Sequence, residues 1–218
     1  MATTRFTGRK VEFLMANLKH HNQRVGVFVD VQNLYYSAKA LYSHKVNFDE
    51  VLKVAVADRQ LIRAIAYTIR ADMPEEQSFF DALESIGFEV KSKELQTFVS
   101  GQKKGDWDVG VAVDILKMAP KLDAIVLCSG DGDYSELLHH AKAEGCRVEV
   151  ISFGKSTSSR LLEEVDDFID MDQGHERYIL AGKPTSNGRP KANAPQGSTT
   201  ATTPTVPQKN PKKFFGRK

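Results

Sequence analysis

The stretch Ile125-Val126-Leu127-Cys128-Ser129-Gly130-Asp131-Gly132-Asp133-Tyr134 limits the fold of this chain more than any other. Four consecutive apolar residues without alternation predict a strand buried on both faces, the situation of a parallel sheet covered by helices on each side. The run then breaks into small residues and delivers two carboxylates, Asp131 and Asp133, at the start of the next helix. Open α/β sheets bind ligands in the crevice beyond the carboxyl ends of their strands. Paired acids at that position predict a hard cation.

The remaining patterns agree with such a sheet. Val25 to Val31 reads as a β-branched strand that ends in an acid, Asp30. The helix after it carries Leu34, Ala38 and Leu41 on one face and sets Asn33 in its first turn. Asn47, with Glu50 at the capping-box position, opens a second helix to about Ala57. Leu61 to Thr68 is the second strand. Pro74-Glu75-Glu76 starts a helix that buries Phe79, Phe80, Leu83 and Ile86 and stops at Gly87. Phe88 to Lys91 begins an edge strand, expected to resume from Leu95 to Val99, and Ser100 to Gly105 is a basic loop. Val109, Ala112, Val113 and Leu116 have helical core spacing, which predicts a helix from Asp108 to about Pro120. Asp114 lies about 240° around that helix from Asp108, so a separate role such as orienting backbone groups is expected for it. Tyr134 to Glu144 is the next helix, Arg147 to Phe153 a fifth strand, and Phe168 to Met171 a short sixth. Gly154 to Arg160 lacks the preceding glycine of a P-loop, which argues against ATP binding.

Alternating strands and helices predict an α/β doubly wound three-layer sandwich with a mostly parallel central sheet over residues 25–172. Residues 1–24 are expected to be a basic arm or short helix, with helical spacing from Arg9 to Asn22, and residues 173–180 a connector. Six of the eight prolines fall in residues 181–218 among Thr, Ser, Gly, Gln and Asn, so that segment is predicted to be a disordered basic tail.

Charge is segregated. Residues 181–218 hold eight Lys and Arg and no acid, and residues 1–24 hold five and Glu12. The 30 basic and 28 acidic residues of the chain therefore leave 17 and 27 for residues 25–180, a formal −10. An acidic body with basic arms suits a polyanionic partner, provided that a cation masks the acids. The two cysteines, Cys128 and Cys146, sit in or beside apolar strands and fit reduced core residues of a cytoplasmic protein. No apolar run approaches membrane-spanning length, and Met1 to Lys10 lack the apolar core of a signal peptide.

In a doubly wound sheet Asp30, Asn33, Asp108, Asp131 and Asp133 reach one carboxyl-end crevice. Several carboxylates without cationic partners raise one another's pKa values, and oxygen-only ligands select magnesium or manganese over zinc. Such an ion lowers the pKa of an attacking water and neutralises phosphoryl charge, the chemistry of phosphodiester hydrolysis.

Three blocks, Phe28-Val29-Asp30-Val31-Gln32-Asn33-Leu34, Lys104-Gly105-Asp106-Trp107-Asp108-Val109 with Asp114, and Ser129-Gly130-Asp131-Gly132-Asp133-Tyr134, resemble the signatures of NYN domains, PIN-like ribonucleases, in their bacterial LabA-like branch. The resemblance implies a PIN-like fold and metal-dependent cleavage of RNA. It implies a catalytic set of Asp30, Asn33, Asp108, Asp131 and Asp133, with Asp30, Asp108 and Asp131 as metal ligands. Asn33 and Asp133 would orient water or a second ion, Asp114 would support the site, and Ser129 would face the substrate phosphate. The glycine-to-aspartate spacing is one residue longer than in the family, which leaves Asp106 and Asp108 as alternatives, with Asp108 preferred because the apolar helix follows it. Lys103, Lys104 and the tail residues Lys212, Lys213, Phe214 and Phe215 would hold RNA by charge and stacking. A non-catalytic RNA-binding or regulatory protein on the same fold is the alternative, and a second copy or a regulatory protein is a candidate partner. The lack of a second acid after Asp30-Val31 argues against a haloacid-dehalogenase-type phosphatase.

Overall fold

The computed structural model describes residues 19–70, 76–94, 96–97, 103–104 and 106–180. Six strands, β1 (Arg24–Asp30), β2 (Gln60–Arg70), β3 (Glu89–Glu94), β6 (Ala124–Cys128), β7 (Arg147–Ser152) and β8 (Asp167–Asp170), form a sheet in the order β3-β2-β1-β6-β7-β8. Every pairing within it is parallel. The chain winds outward from β1 to β3, returns to β6 on the other side of β1, and winds outward again. The topological switch point therefore lies between β1 and β6, paired in register from Val25↔Ala124 to Val29↔Cys128.

Helices cover both faces because the central strands are apolar on both. Val25, Val27 and Val29 of β1 and Val126 and Cys128 of β6 pack with Leu34 and Ala38 of α1 (Val31–Tyr42), Val51 and Ala55 of α2 (Phe48–Val56) and Leu83 of α3 (Glu76–Ile86). Phe28, Ile65, Ile125 and Leu127 face the other layer, α4 (Asp108–Met118) and α5 (Ser135–Ala143). The predicted three-layer parallel architecture is thus observed. Among the described residues, no helix is long and apolar enough to cross a membrane.

Local expectations differ in α4 and after β3. In α4 the buried side is Val111, Ile115 and Met118, whereas Val109, Val113 and Leu116 are 72%, 40% and 45% exposed. The sequence VGVAVDILKM is apolar on both faces, so periodicity alone admits either phase. β3 stops at Glu94, and Gln96–Thr97 (β4) turn away to pair antiparallel with Lys103–Lys104 (β5). Part of the basic loop is thus strand, although the side chains of Lys103 and Lys104 lie outside the described residues. Of the segment expected to be an N-terminal helix, residues 1–18 lie outside the described residues, and His20 to Gln23 close a turn through Gln23 N–H to His20 O at 2.9 Å. The tail, including Lys212, Lys213, Phe214 and Phe215, also lies outside them.

Residues 173–180 are packed on the domain. Tyr178 is buried, its carbonyl accepts from Asn47 N–H at 2.8 Å, and Ile179 bridges Val46. The Asn47 side chain caps α2 at Glu50 N–H, as predicted, but Glu50 reaches Arg177 instead of closing a reciprocal box. A short helix, α6 (Ser159–Leu162), links β7 to β8.

Candidate metal centre

β1 hands the chain to α1 at Asp30, an extended residue whose Oδ1 accepts the Asn33 N–H at 3.0 Å. The carboxylate is a helix cap, but its second oxygen faces the crevice. Asn33 sits one turn into α1, and its Oδ1 accepts the Gly130 N–H at 2.9 Å. The end of β1 is thereby tied to the loop after β6.

That loop is held from several sides. Ser129 Oγ accepts from Asp131 N–H at 3.2 Å, and Asp131 Oδ1 accepts from Asp133 N–H at 2.9 Å, closing a tight turn over Gly132–Tyr134. The Gly130 carbonyl accepts from Ser158 N–H at 2.9 Å. A Cβ on Gly132 would lie 2.5 Å from Ser158 Oγ, and one on Gly130 would lie 3.1 Å from the Ser156 carbonyl oxygen. Two glycines are needed because the β7–α6 segment presses on the turn.

Asp108 reaches the same place from the first turn of α4. Its neighbour Trp107 anchors that helix start by donating its indole N–H to the Thr68 carbonyl at 2.6 Å, and Lys93 lies over the indole ring at 4.1 Å. Asp108, Asp131 and Asp133 each place a carboxylate oxygen within 4.8 Å of the others, near enough for one cation to bridge. Asp30, Asn33, Asp108 and Asp131 line an open crevice with Gln32, Tyr36, Asp106 and Trp107. Its volume of about 220 Å³ is below the ~300 Å³ at which organic-ligand pockets begin, so it suits an ion and a phosphate group.

Tyr134 completes the arrangement. Its buried hydroxyl stands 3.1 Å from Asp108 Oδ1 and 3.5 Å from Asp30 Oδ2. Burial, with Asp30 and Asp108 facing it, pushes its phenol far above the ordinary range, so it is a donor. From the sequence pattern alone, Tyr134 is only the start of a helix. The available signal was an aromatic residue with a polar tip ending a paired-acid turn.

Electrostatics separate these acids from the others. Burial first, and then Asp108 and Asp131, push the Asp30 carboxyl up to about 6, against the stabilising Asn33 N–H. Asp108 is raised by burial and then by Asp131, Asp106 and Asp133, with the Tyr134 hydroxyl opposing. Among the described residues, no ion pair reaches Asp30, Asp108, Asp131 or Asp133. Asp114 differs: burial would raise it, but Lys91 at 2.7 Å and Tyr67 at 2.8 Å outweigh burial and hold it below the usual range. It buttresses α4 against β2 and β3 rather than orienting backbone groups. Ser129, expected under a substrate phosphate, is fully buried beneath the turn. Asp106 lines the crevice but is not part of the triad.

The donor set fits a hard divalent ion. It consists of carboxylates, without thiolate or imidazole, whose like charges a divalent cation would offset.

A family model described as NYN domain matches residues 24–172. The low amplitude and bright protein LabA of Synechococcus elongatus is 25% identical over 163 residues, covering 68% of this chain and 83% of that protein. A crystal structure of a protein of unknown function from Vibrio parahaemolyticus is 32% identical, superposes with a TM-score of 0.68, and is matched over 75% of this chain and 99% of its own.

Proposed function

The chain belongs to the NYN domain family, and from that premise we propose that it is a metal-dependent ribonuclease that hydrolyses RNA phosphodiester bonds at the acidic crevice. One observation carries the reading: the Asp108, Asp131 and Asp133 carboxylates lie within 4.8 Å of one another at the switch point, with no cationic partner among the described residues. These three side chains would hold magnesium or manganese. The ion, when bound, would lower the pKa of a water and offset phosphoryl charge.

The protein's own groups supply the rest. Asp30 lies beside the triad with one oxygen fixed on α1, so its other oxygen is placed to orient or deprotonate a water. Asp133 thus joins Asp108 and Asp131 in the proposed ligand set, and Asp30 stands next to it. Asn33 acts through Gly130, holding the loop that bears Asp131 and Asp133. The basic residues of the two termini would draw a polyanion to an otherwise acidic body.

Cleavage of a fluorescent single-stranded RNA in magnesium or manganese, beside p-nitrophenyl phosphate, tests the proposal. Wild-type protein should cut the RNA and leave the phosphatase substrate untouched. Asp108→Asn with Asp131→Asn should lower the rate more than about 100-fold, given what carboxylate ligands contribute to such sites. Undiminished cleavage by the double variant would remove these acids from the chemistry. RNA binding without turnover in either metal would return the protein to a non-catalytic, RNA-binding role.

A further inference from the structure

We propose that Tyr134 is a positioning residue for the metal centre, its hydroxyl donating to the Asp108 carboxylate and so setting it against Asp131 and Asp133. This rests on the cation-binding reading above and assigns a residue that the acids alone do not suggest.

The geometry has a fixed end and a free end. Asp30 is fixed because its Oδ1 accepts from the α1 backbone at Asn33. Asp108 is less constrained: it begins α4, the preceding Trp107 makes no side-chain cap, and among the described residues the hydrogen-bond donor to its carboxylate is Tyr134. The Tyr134 hydroxyl lies between them and carries one proton for two acceptors, at 3.1 Å and 3.5 Å.

The Tyr134 ring itself cannot drift. It is 2% exposed in the layer formed with Val111, Ile115, Leu137 and Leu138. Its backbone belongs to the turn that bears Asp131 and Asp133. One short segment thus supplies two members of the triad and the group that orients the third. Groups that orient metal ligands through hydrogen bonds typically contribute 10–100-fold in affinity.

The test is a manganese titration of folded protein, followed by loss of the free-ion EPR signal. Tyr134→Phe keeps the ring and deletes the hydroxyl, and its manganese dissociation constant is expected to rise about 10–100-fold. Leu137→Ala serves as the packing control: it should lower the melting temperature in EDTA while leaving manganese affinity within about threefold of wild type, because it creates a cavity in the same layer without touching a carboxylate. Affinity of Tyr134→Phe within threefold of wild type would overturn the assignment. So would an equal loss in Leu137→Ala, which would trace the effect to packing. Absence of manganese binding in the wild-type protein would be a different failure, overturning the metal centre itself and the role of Tyr134 with it.

Discussion

Asp30→Asn is expected to raise the melting temperature of the metal-free protein at pH 8 by roughly 6–12 °C. The Asp30 carboxyl is pushed up to about 6, first by burial and then by Asp108 and Asp131. A folded-state value above the unfolded one means that the native protein binds this proton more tightly than the unfolded chain. The associated stability is fully present below about 3.8 and is lost as pH rises through about 6. At pH 8 the ionised group therefore costs the native state about 3 kcal/mol, and a domain of this size gains about 2–4 °C per kcal/mol. Asparagine keeps an oxygen to accept the Asn33 N–H, so the cap survives while the charge goes. The gain should shrink towards pH 5 and, under the proposed metal centre, reverse in saturating magnesium, which would stabilise the wild type by binding its native state. Differential scanning calorimetry in EDTA and in magnesium at both pH values checks it. A variant that melts lower than wild type in EDTA at pH 8 would show that burial and the neighbouring acids do not penalise the Asp30 charge.

The largest loss of stability is expected from Glu149→Ala, far from this chemistry. Glu149 is fully buried in β7, and both its oxygens are gripped by Arg59 at 2.9 Å, with Arg147 at 3.0 Å and Lys19 at 3.4 Å. Arg59 is equally buried and donates two further N–H groups to the carbonyls of Ala55 and Val56 at 2.7 and 3.1 Å. Burial alone would raise the Glu149 carboxyl; Arg59, and then Lys19 and Arg147, hold it below the usual range instead. Its stabilising share is thus present above about 4.5 and is lost as pH falls through the depressed native value. Deleting Glu149 leaves a buried guanidinium without its counter-ion, a change that costs about 3–5 kcal/mol. Urea unfolding at pH 7 should show that loss with an unchanged denaturant slope. A second change, Arg59→Met in Glu149→Met protein, should recover most of it, because two apolar side chains leave no charge unpaired. A loss below about 1 kcal/mol for Glu149→Ala would mean that water reaches the pair.

Asp30 was visible because it ends a β-branched strand and is followed three residues later by Asn33. Asp131 and Asp133 stood out because small residues interrupt an apolar run. Local patterns of this kind report which residues end strands and start helices, and chain topology then brings those ends together. Glu149 was invisible for the opposite reason. Inside Val148-Glu149-Val150 it reads as an ordinary polar position, and its partner Arg59 lies 90 residues away. Nothing local distinguishes a solvated glutamate from one paired across the fold. The phase of α4 was hidden by apolar residues on both its faces, and Asp108 gave no independent phase until the crevice was assembled. Tyr134 was hidden because a tyrosine after a turn is most often core, and the position of its hydroxyl depends on two acids from elsewhere in the chain.

Under the proposed function, the acidic crevice directs water onto an RNA phosphodiester. The most direct test is mass spectrometry of RNA products formed by the wild-type protein in ¹⁸O-enriched water with manganese. The new terminal phosphate should carry one solvent oxygen per cut, and the labelled product should disappear when Asp108→Asn with Asp131→Asn protein is used. Unlabelled 2′,3′-cyclic phosphate ends, or labelled products undiminished in the double variant, would contradict it.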